Sequence, residues 1–547
     1  MNAMTQLQAA SFDYIVVGAG SAGSVIANRL SADGKSSILV LEAGGPDRNP
    51  FLHIPAGYVK TLTDPQLIWP FKSEPGPGSG GRAIPLPQGR VYGGSSSLNG
   101  LVYNRGQAED FDDWARMGNP GWGYEDVLPY FRRSERRIGP GEARYRGREG
   151  NLTVSDPGWK NELCEAFIES VQSTGVARNP DYNGAAQEGV GYFQRMIGSR
   201  FRVSAATAFL HPALKRSNVS IRPFSQVYDL LIENGRVSGV WYFKDGNPSD
   251  RVLVRCRREV ILCAGTINTT RIMQLSGIGD GAMLSKAGIE LRHHLPGVGR
   301  NFRDHYFIHI NQRMKEGVIS LNQQARGWRL GLEIMKWLAG ASSILSLSPS
   351  VVYAFCRSHT SVHRPDIQYI FTPGSYKPDH VYVLDDFPAV TCGFSQHRPE
   401  SVGHISIISP DPTASPVIQP NYLSASTDQT VVVRALRLAR RFMAAEPLAR
   451  FAEREEEPGL PVQSDQALLE FAQRTGNTGY HFMGACSMGP RSNPLAVVDP
   501  KLKVHGLAGL RIADASVMPA MPSANTYSST LMIAEKGADL IRGISRA

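Results

Sequence analysis

The sequence predicts an α/β protein built around a mostly parallel sheet, and three features carry this prediction. Residues 12–17 and 38–41 are short apolar runs of strand type. Apolar residues recur at helical spacing over residues 22–30, so the first part of the chain is predicted to be a βαβ unit. Two distant apolar runs, residues 260–265 and 510–514, are predicted to be further strands of the same sheet.

A glycine-rich turn joins the first strand to the helix. It reads Gly18-Ala19-Gly20-Ser21-Ala22-Gly23, and Glu42 follows at the carboxyl end of the second strand. Gly18 permits a tight turn, Gly20 lets the backbone approach a pyrophosphate, and Gly23 lets the helix and strand pack closely. The free N–H groups of the helix N-terminus favour phosphate, and Glu42 can accept hydrogen bonds from a ribose. The pattern therefore predicts a dinucleotide site, and by itself it leaves NAD and FAD open.

The length of the chain indicates the number of domains, and its net charge indicates which partners to expect. With 547 residues the chain is longer than one ordinary domain, so two domains are expected. The formal net charge is +9, and part of the excess lies in residues 132–148, which contain seven arginines; Glu135 and Glu142 are interleaved with them, and Glu149 follows directly. No nucleic-acid-binding motif accompanies these arginines. We interpret the segment as a solvated helix end and loop, and we predict no nucleic-acid partner.

The cysteine pattern and the hydropathy of the chain indicate in which cellular compartment the protein is expected. The six cysteines form no Cys-x-x-Cys pair, so neither a disulfide framework nor a zinc site is predicted, and no metal is expected. The first strand begins within about a dozen residues of the N-terminus, which leaves no room for a secretory signal. The apolar stretch near residues 337–356 is interrupted by Gly, Ser and Pro349 and is not expected to span a membrane. We therefore expect a cytoplasmic protein, with peripheral contact to the inner face of a membrane left open.

Several blocks resemble the signatures of the glucose–methanol–choline (GMC) oxidoreductases, and they occur in order along nearly the whole chain. Residues 89–100, Gly-Arg-Val-Tyr-Gly-Gly-Ser-Ser-Ser-Leu-Asn-Gly, are similar to the first family signature. Val102-Tyr103-Asn104-Arg105-Gly106 and Phe111-Asp112-Asp113-Trp114 resemble the choline-dehydrogenase-like branch. The other blocks that resemble the family are residues 265–279, 296–305, 481–489 and 514–536.

The resemblance implies FAD as the cofactor and a fold of two domains. One is a Rossmann-type FAD-binding domain assembled from discontinuous segments, and the other is a substrate-binding domain of antiparallel sheet plus helices. We predict that the FAD-binding domain comprises residues 1–155, 222–310 and 488–547, and that the substrate-binding domain comprises residues 156–221 and 311–487. A predicted strand at 403–408 and a predicted helix at 428–446 fall in the second domain.

The resemblance also implies which residues contact the flavin. The small residues at 93–100 offer backbone N–H groups that can lie flat against the ring system and meet its negative charge. In some family members a histidine of this signature bonds covalently to the flavin, but the matching residue here is Leu98, so non-covalent FAD is expected. The predicted cofactor-binding residues are Gly18, Gly20, Ser21, Ala22, Gly23, Glu42, Ala43, Trp69, Arg90, Gly93, Gly94, Ser95, Asn99, Gly100, Val102, Val227, Ala264, Gly265, Tyr480, Asp514, Ala515, Asn525 and Thr526.

By the same resemblance, His481 and Asn525 are the catalytic residues. Oxidation of a primary alcohol to an aldehyde removes a hydroxyl proton and a hydride, and the hydride goes to the flavin N5. An imidazole has a pKa suited to taking the proton, and Asn525 can donate its amide N–H to the alcohol oxygen. His305 belongs to a matched block and is expected to be structural. Ala485 replaces the threonine that commonly follows Gly484 in the family, so the hydrogen bonding around His481 is expected to differ.

Other functions and several details stay open at this point. The main alternative is a non-redox lyase of the hydroxynitrile-lyase type, in which the flavin is structural; a light-driven decarboxylase and a basic binding protein are further ones. The electron acceptor, oxygen or a quinone, and the oligomeric state are not determined by the motifs. The substrate is an aromatic, aliphatic or choline-like alcohol, because residues 320–396 are rich in aromatic side chains and include the candidate carboxylates Asp385 and Asp386.

Overall fold

Two seven-stranded sheets organise the computed structural model, which describes residues 11–377 and 383–544. The first sheet is mixed, and its parallel part confirms the predicted βαβ unit, because Ser11–Val17 and Ile38–Leu41 pair in parallel on either side of the helix Ser21–Leu30. In order across the sheet its strands are Val219–Arg222, Ile38–Leu41, Ser11–Val17, Arg251–Leu262, Arg236–Phe243 and Gln226–Glu233, with Leu510–Ile512 beside Arg251–Leu262.

The apolar runs of this sheet are buried on both faces, as parallel strands covered by helices require. Ile15, Val16 and Leu39 are fully buried. The helix Thr526–Arg542 is buried along most of its length and packs against Ser21–Leu30, so the two ends of the chain share one core. The predicted strand at 510–514 and the helix that follows it are therefore part of the same unit as the N-terminal glycine turn.

The second sheet is antiparallel and confirms the second part of the predicted fold class. Its strands in order are Ala452–Glu457, Tyr306–Met314, Ala389–Gln396, Ile367–Thr372, Val352–Cys356 and Gly189–Tyr192, with Asn477–Thr478 beside Tyr306–Met314. The helices Glu162–Ser173, Ser426–Ala444 and Asp465–Thr475 cover it. Phe167 of the first helix stacks on Phe371 of the sheet, with ring centroids 4.2 Å apart. The predicted strand at 403–408 is shorter, His404–Ser406, and pairs with Val417–Gln419 outside the large sheet.

The predicted domain boundary at residue 221 needs correction. The strand Val219–Arg222 pairs in parallel with Ile38–Leu41, and residues 205–210 pack in the core of the first sheet. Residues 205–221 were assigned to the substrate-binding domain, because a short strand after a turn has no sequence feature that indicates which sheet it joins. We propose that residues 205–221 belong to the FAD-binding domain, and that the middle segment of that domain ends before the strand Tyr306–Met314, which lies in the second sheet.

The arginine-rich segment is solvated only in part: Arg132, Arg136, Arg144 and Arg148 are exposed as predicted, but the interpretation is wrong for the buried Arg137 and Arg146. The Arg146 side chain is fully buried and pairs with buried Glu135, which also accepts a hydrogen bond from Arg105 Nη2 at 2.6 Å. Arg137 is 1% exposed and pairs with Asp156 at 2.6 Å. These side chains join the strand Glu135–Ile138 to its surroundings and are not available to an external polyanion.

Removal of Glu135 is expected to destabilise the fold strongly. In a Glu135→Ala variant the guanidinium groups of Arg105 and Arg146 stay buried without this carboxylate, which costs about 3–5 kcal/mol for a broken buried pair. Urea denaturation followed by far-UV circular dichroism measures the change in the free energy of unfolding. Glu125→Ala is the matched control, because Glu125 pairs with Arg144 on the exposed surface. Equal stability of the two variants would contradict this account of the cluster.

The cysteines and the helices add two further facts. All six cysteines are buried with free thiols. Within residues 11–377 and 383–544, no helix combines the length and the hydropathy that crossing a bilayer requires.

Candidate active site

The glycine-rich turn adopts a conformation that only glycine accommodates. Gly18 has a φ of +99°, and a Cβ added at Gly23 would lie 1.8 Å from the Gly18 carbonyl oxygen. The helix Ser21–Leu30 begins directly after Gly20, and no side chain caps its first turn. Its first N–H groups are therefore oriented to favour a phosphate.

The loop of the first family signature lies against this turn. The Gly93 N–H donates to the Ala19 carbonyl at 2.8 Å. A Cβ added at Gly94 would lie 2.8 Å from the Gly20 Cα, so the two backbones meet at a distance that only glycine allows. The structure thus brings together two stretches that are about 70 residues apart and that were both predicted to contact the cofactor.

Two predicted carboxylates are buried at the carboxyl edge of the first sheet. Glu42 accepts hydrogen bonds from the N–H groups of Ala19 at 2.8 Å and Gly44 at 2.7 Å, and burial raises its pKa. Asp514 accepts from the Gly265 N–H at 2.9 Å and from Ser516, and burial raises its pKa as well. Glu42 thereby fixes the glycine turn, and Asp514 fixes the start of the helix Gly265–Leu275 to the end of the C-terminal strand.

Other predicted cofactor residues join the segments around these loops. The Arg90 guanidinium lies 4.7 Å from the centre of a Trp69 ring, and its Nε donates to the Ala43 carbonyl at 3.3 Å. Asn99 Oδ1 accepts a hydrogen bond from Arg202 Nη1 at 2.8 Å. The remaining residues of the predicted set are Ala22 in the first helix, Ser95 and Gly100 in the signature loop, Ala264 at the start of the helix Gly265–Leu275, Ala515 after Asp514, Thr526 at the start of the last helix, Tyr480 next to His481, and the buried Val102 and Val227.

His481 and Asn525 meet, although they are 44 residues apart in the chain. Asn525 Nδ2 lies 3.0 Å from His481 Nε2. Asn525 directly precedes the helix Thr526–Arg542, and its Oδ1 is buried without a hydrogen bond within the described residues. The loop after His481 is bonded to the first sheet through the Cys486 N–H, which donates to the Ser516 carbonyl at 2.8 Å. The loop that follows His481 is therefore anchored next to the C-terminal strand of the first sheet.

His305 contacts His481 directly, although the sequence predicted only a structural role for it. His305 Nδ1 lies 2.8 Å from His481 Nδ1, and His305 Nε2 lies 2.8 Å from the His397 carbonyl oxygen. A carbonyl only accepts, so His305 Nε2 carries a proton. Burial lowers the pKa of His305 to about 4, so the ring is neutral and its Nδ1 accepts from His481 Nδ1. The lone pair of His481 is thereby left on Nε2.

Asp304 positions the backbone of His481, and the sequence analysis assigned it no role. Its carboxylate accepts from the His481 N–H at 2.8 Å, from Tyr422 Oη at 2.6 Å and from Thr478 Oγ1 at 2.5 Å. Burial raises its pKa to about 6. The adjacent Asp304-His305 pair within a matched block was the available signal. Asp304 and His305 supply the hydrogen bonds at His481, so Ala485, whose carbonyl accepts from the Gly299 N–H, does not have to provide a side-chain hydroxyl.

The residues present fit FAD. The uncapped helix N-terminus suits a pyrophosphate, and the two glycine loops meet where a side chain would fill the space. The unpartnered Asn525 Oδ1 is the kind of buried polar atom that a bound molecule satisfies.

Comparison with known proteins identifies the family. Two models described as GMC oxidoreductase match residues 12–307 and 399–534. The chain is 41% identical to the mitochondrial choline dehydrogenase of Homo sapiens, over 97% of this chain and 90% of that protein. It is 39% identical to an oxygen-dependent choline dehydrogenase of Rhizobium etli, over 97% of this chain and 95% of that protein. Among solved structures, pyridoxine 4-oxidase from "Mesorbium loti" aligns with a TM-score of 0.88 and 28% identity, over 98% of this chain and 100% of that one.

These matches define the class of protein: a flavoenzyme that oxidises small-molecule alcohols with FAD as cofactor. The chain belongs to the GMC oxidoreductase family and is similar to its choline dehydrogenases. The predicted family, fold class, cofactor and alcohol oxidation are thus confirmed. The comparisons lend no support to the lyase alternative.

Proposed function

We propose that this chain oxidises a primary alcohol to an aldehyde with His481 as the base and Asn525 as the group that holds the alcohol oxygen. The observation that supports this proposal is the contact of His481 Nε2 with Asn525 Nδ2, at 3.0 Å. An alcohol oxygen that accepts from the Asn525 amide can present its proton to the adjacent Nε2. When bound, FAD supplies the hydride acceptor, and the helix Ser21–Leu30 and the loop at 93–100 are the segments we assign to holding it.

The protonation state of His481 supports the same assignment. Burial and the neighbouring His305 lower the pKa of His481 well below its ordinary value, so the ring is neutral at neutral pH. The hydrogen bond from Nδ1 to His305 places the lone pair of His481 on Nε2, which accepts from Asn525 Nδ2 in this structure and can take the proton of an alcohol bound there. Transfer of that proton to a positioned base contributes about 10²–10⁴ in rate.

We further propose that FAD is held without a covalent bond. Leu98 is buried and packs with Leu52, Ile68 and Val91, where it has no nucleophilic atom to offer. Denaturation with trichloroacetic acid is expected to release all of the flavin into the supernatant. Flavin that stays with the precipitated protein would contradict this proposal.

For the substrate we propose a neutral alcohol rather than choline. Phe307 lies beside His481, with ring centroids 6.2 Å apart, and the buried carboxylate of Asp304 accepts hydrogen bonds from Tyr422, Thr478 and the His481 N–H. Asp385 accepts from Ser375, and Asp386 pairs at the surface with Arg326 and Lys377. The candidate carboxylates thus have their own partners, Asp386 two cations and Asp385 a serine hydroxyl, and neither contacts His481 among the described residues. Choline remains the second candidate, because the relatives named above are choline dehydrogenases.

Anaerobic bleaching of the bound flavin tests the reaction and the substrate class together. Benzyl alcohol and choline are compared at equal concentration, and benzyl alcohol is expected to reduce the flavin at least about tenfold faster, because the apolar Phe307 ring beside His481 favours a neutral aromatic alcohol over a cation that must lose its hydration. Faster bleaching by choline would refute the neutral-substrate proposal, and no bleaching by any primary alcohol would refute the reaction itself. Admission of air with peroxide detection then distinguishes oxygen from a quinone as the acceptor.

A further inference from the structure

One helix of the second half of the chain presents an apolar face to solvent. This surface helix, Gly327–Leu338, carries five exposed large apolar side chains, and the described part of the chain has nineteen in all. A cluster of this density on twelve residues is not the scattered exposure of single side chains that ordinary surfaces show. The five are Trp328 at 72% exposure, Met335 at 64%, Leu338 at 56%, Leu332 at 50% and Ile334 at 40%.

The opposite face of the surface helix is firmly docked. Trp337 is 7% exposed and packs edge-on against Phe201, with ring centroids 5.4 Å apart. Glu333 is buried, and its carboxylate accepts from the Ile344 N–H at 3.0 Å. Arg200 Nη1 donates to the carbonyl of Leu338 at 2.7 Å, at the end of the helix. The orientation of the helix is therefore fixed by its inner contacts, and the outward apolar face is a property of the fold.

The exposed apolar residues form one continuous stripe. At about 100° per residue, the positions of Ile334, Leu338, Met335, Trp328 and Leu332 span roughly 160° of the helix circumference. Arg329 and Lys336 border this stripe on one side. A surface helix of a globular protein normally turns such a stripe toward the core, so this helix has the reverse orientation.

The charges around the stripe are mainly positive. Lys336 pairs with Glu333 and Arg326 pairs with Asp386, whereas Arg329 and Arg200 have no acidic partner within the described residues. Together with the net charge of +9, this favours an anionic surface as the partner.

We propose that the surface helix docks on the headgroup region of a lipid bilayer that contains anionic lipids. An amphipathic helix with Trp and Leu on one face and basic residues at its border is the physical pattern of an interfacial helix, which lies on the membrane without crossing it. A second copy of this chain fits less well, because a symmetric pairing of the stripes brings the unpaired Arg329 and Arg200 of both copies to the same interface.

A large cleft lies next to the surface helix. The C-terminal end of the helix, Trp337 and Leu338, lines a cleft of about 1100 Å³ together with Phe201 and Arg202. Arg202 Nη1 donates to the Asn99 carbonyl at 2.7 Å, in the loop assigned to the flavin. When the protein is docked on the bilayer through this helix, the cleft therefore lies beside the lipid surface.

Flotation of the FAD-loaded protein with vesicles tests the proposal. The probes are phosphatidylcholine vesicles and vesicles of phosphatidylcholine with about 30% phosphatidylglycerol, whose negative surface potential attracts basic residues. The test variant is Leu332→Glu/Met335→Glu. The matched control is Ile408→Glu/Leu460→Glu, which adds the same two charges at apolar positions exposed by 63% and 68% elsewhere on the surface. The Arg329→Gln variant measures how much of the binding to anionic vesicles depends on the positive charge of Arg329.

We expect the protein to float with the anionic vesicles and the control variant to do the same. Leu332→Glu/Met335→Glu is expected to bind at least about tenfold more weakly, and Arg329→Gln about fivefold more weakly on anionic vesicles alone. The absence of binding to either vesicle, or equal binding by the test and control variants, would overturn the proposal. So would self-association in sedimentation that the test variant abolishes while no vesicle binding is seen, because the stripe would then pair with a second copy.

Alcohol-dependent bleaching in solution keeps this test separate from the proposed reaction. The variants of the surface helix are expected to bleach at the rate of the unmodified protein, because none of their residues contacts His481 or Asn525 in the described structure. Normal bleaching without vesicle binding would therefore refute the docking and leave the reaction intact.

Discussion

Replacement of His481 by alanine is expected to slow the reduction of the flavin by a primary alcohol by about 10²–10⁴, with the FAD content unchanged. The variant loses the unprotonated Nε2 that lies beside Asn525, so the hydroxyl proton has no positioned acceptor. The loops that we propose to hold FAD keep their own contacts, because Gly93 and Gly94 pack against the backbone of Ala19 and Gly20. Stopped-flow bleaching at saturating alcohol under anaerobic conditions measures the rate, and the visible absorbance per protein measures FAD content.

The control for this variant is His359→Ala, which removes an exposed imidazole that contacts the hydroxyl of Ser361. It is expected to bleach at the normal rate. A His481→Ala variant that retains its flavin and bleaches within a factor of about three of the unmodified protein would exclude His481 as the base, because such a ratio is far below the contribution of a positioned base.

A single methyl group at Gly23 is expected to abolish FAD binding. In Gly23→Ala the new Cβ would lie 1.8 Å from the carbonyl oxygen of Gly18 and 3.3 Å from Cys263 Cβ. The clash is with backbone, so no side-chain rotation relieves it, and the helix N-terminus must move away from the strand. The purified variant is expected to be colourless and to take up no FAD in an equilibrium dialysis experiment.

Gly158→Ala is the matched control for Gly23→Ala. A Cβ added at Gly158 meets no atom within 4 Å, so this variant is expected to purify with its full complement of flavin. Full flavin content in Gly23→Ala would show that the turn does not hold the cofactor in the way we assign.

The parts of the structure that local pattern determines were predictable from the sequence. The βαβ unit and the glycine turn follow from apolar runs, helical spacing and glycine positions within about thirty residues, and the structure has them where they were predicted. The pairing of His481 with Asn525 was predictable only through the resemblance to a family. No periodicity or spacing indicates that residues 44 positions apart on a loop and a helix end should touch.

The rest depends on contacts between distant segments. Asp304 holds the His481 backbone across 177 positions, and His305 contacts the ring across 176 positions. The arginines at 137 and 146 look like solvated charges in sequence because their partners, Asp156 and Glu135, are recognised only when the chain has folded around them. Burial, not composition, decides whether such a charge faces water.

The last forty residues of the chain have a consequence for its synthesis. The strand Leu510–Ile512 completes the parallel sheet, Asp514 ties it to the helix Gly265–Leu275, and Asn525 completes the pair with His481. A nascent chain still attached to the ribosome lacks this closing piece, so it has neither a finished sheet nor a finished pair of reacting groups. Prematurely terminated copies therefore lack both the strand that completes the parallel sheet and the contact between Asn525 and His481.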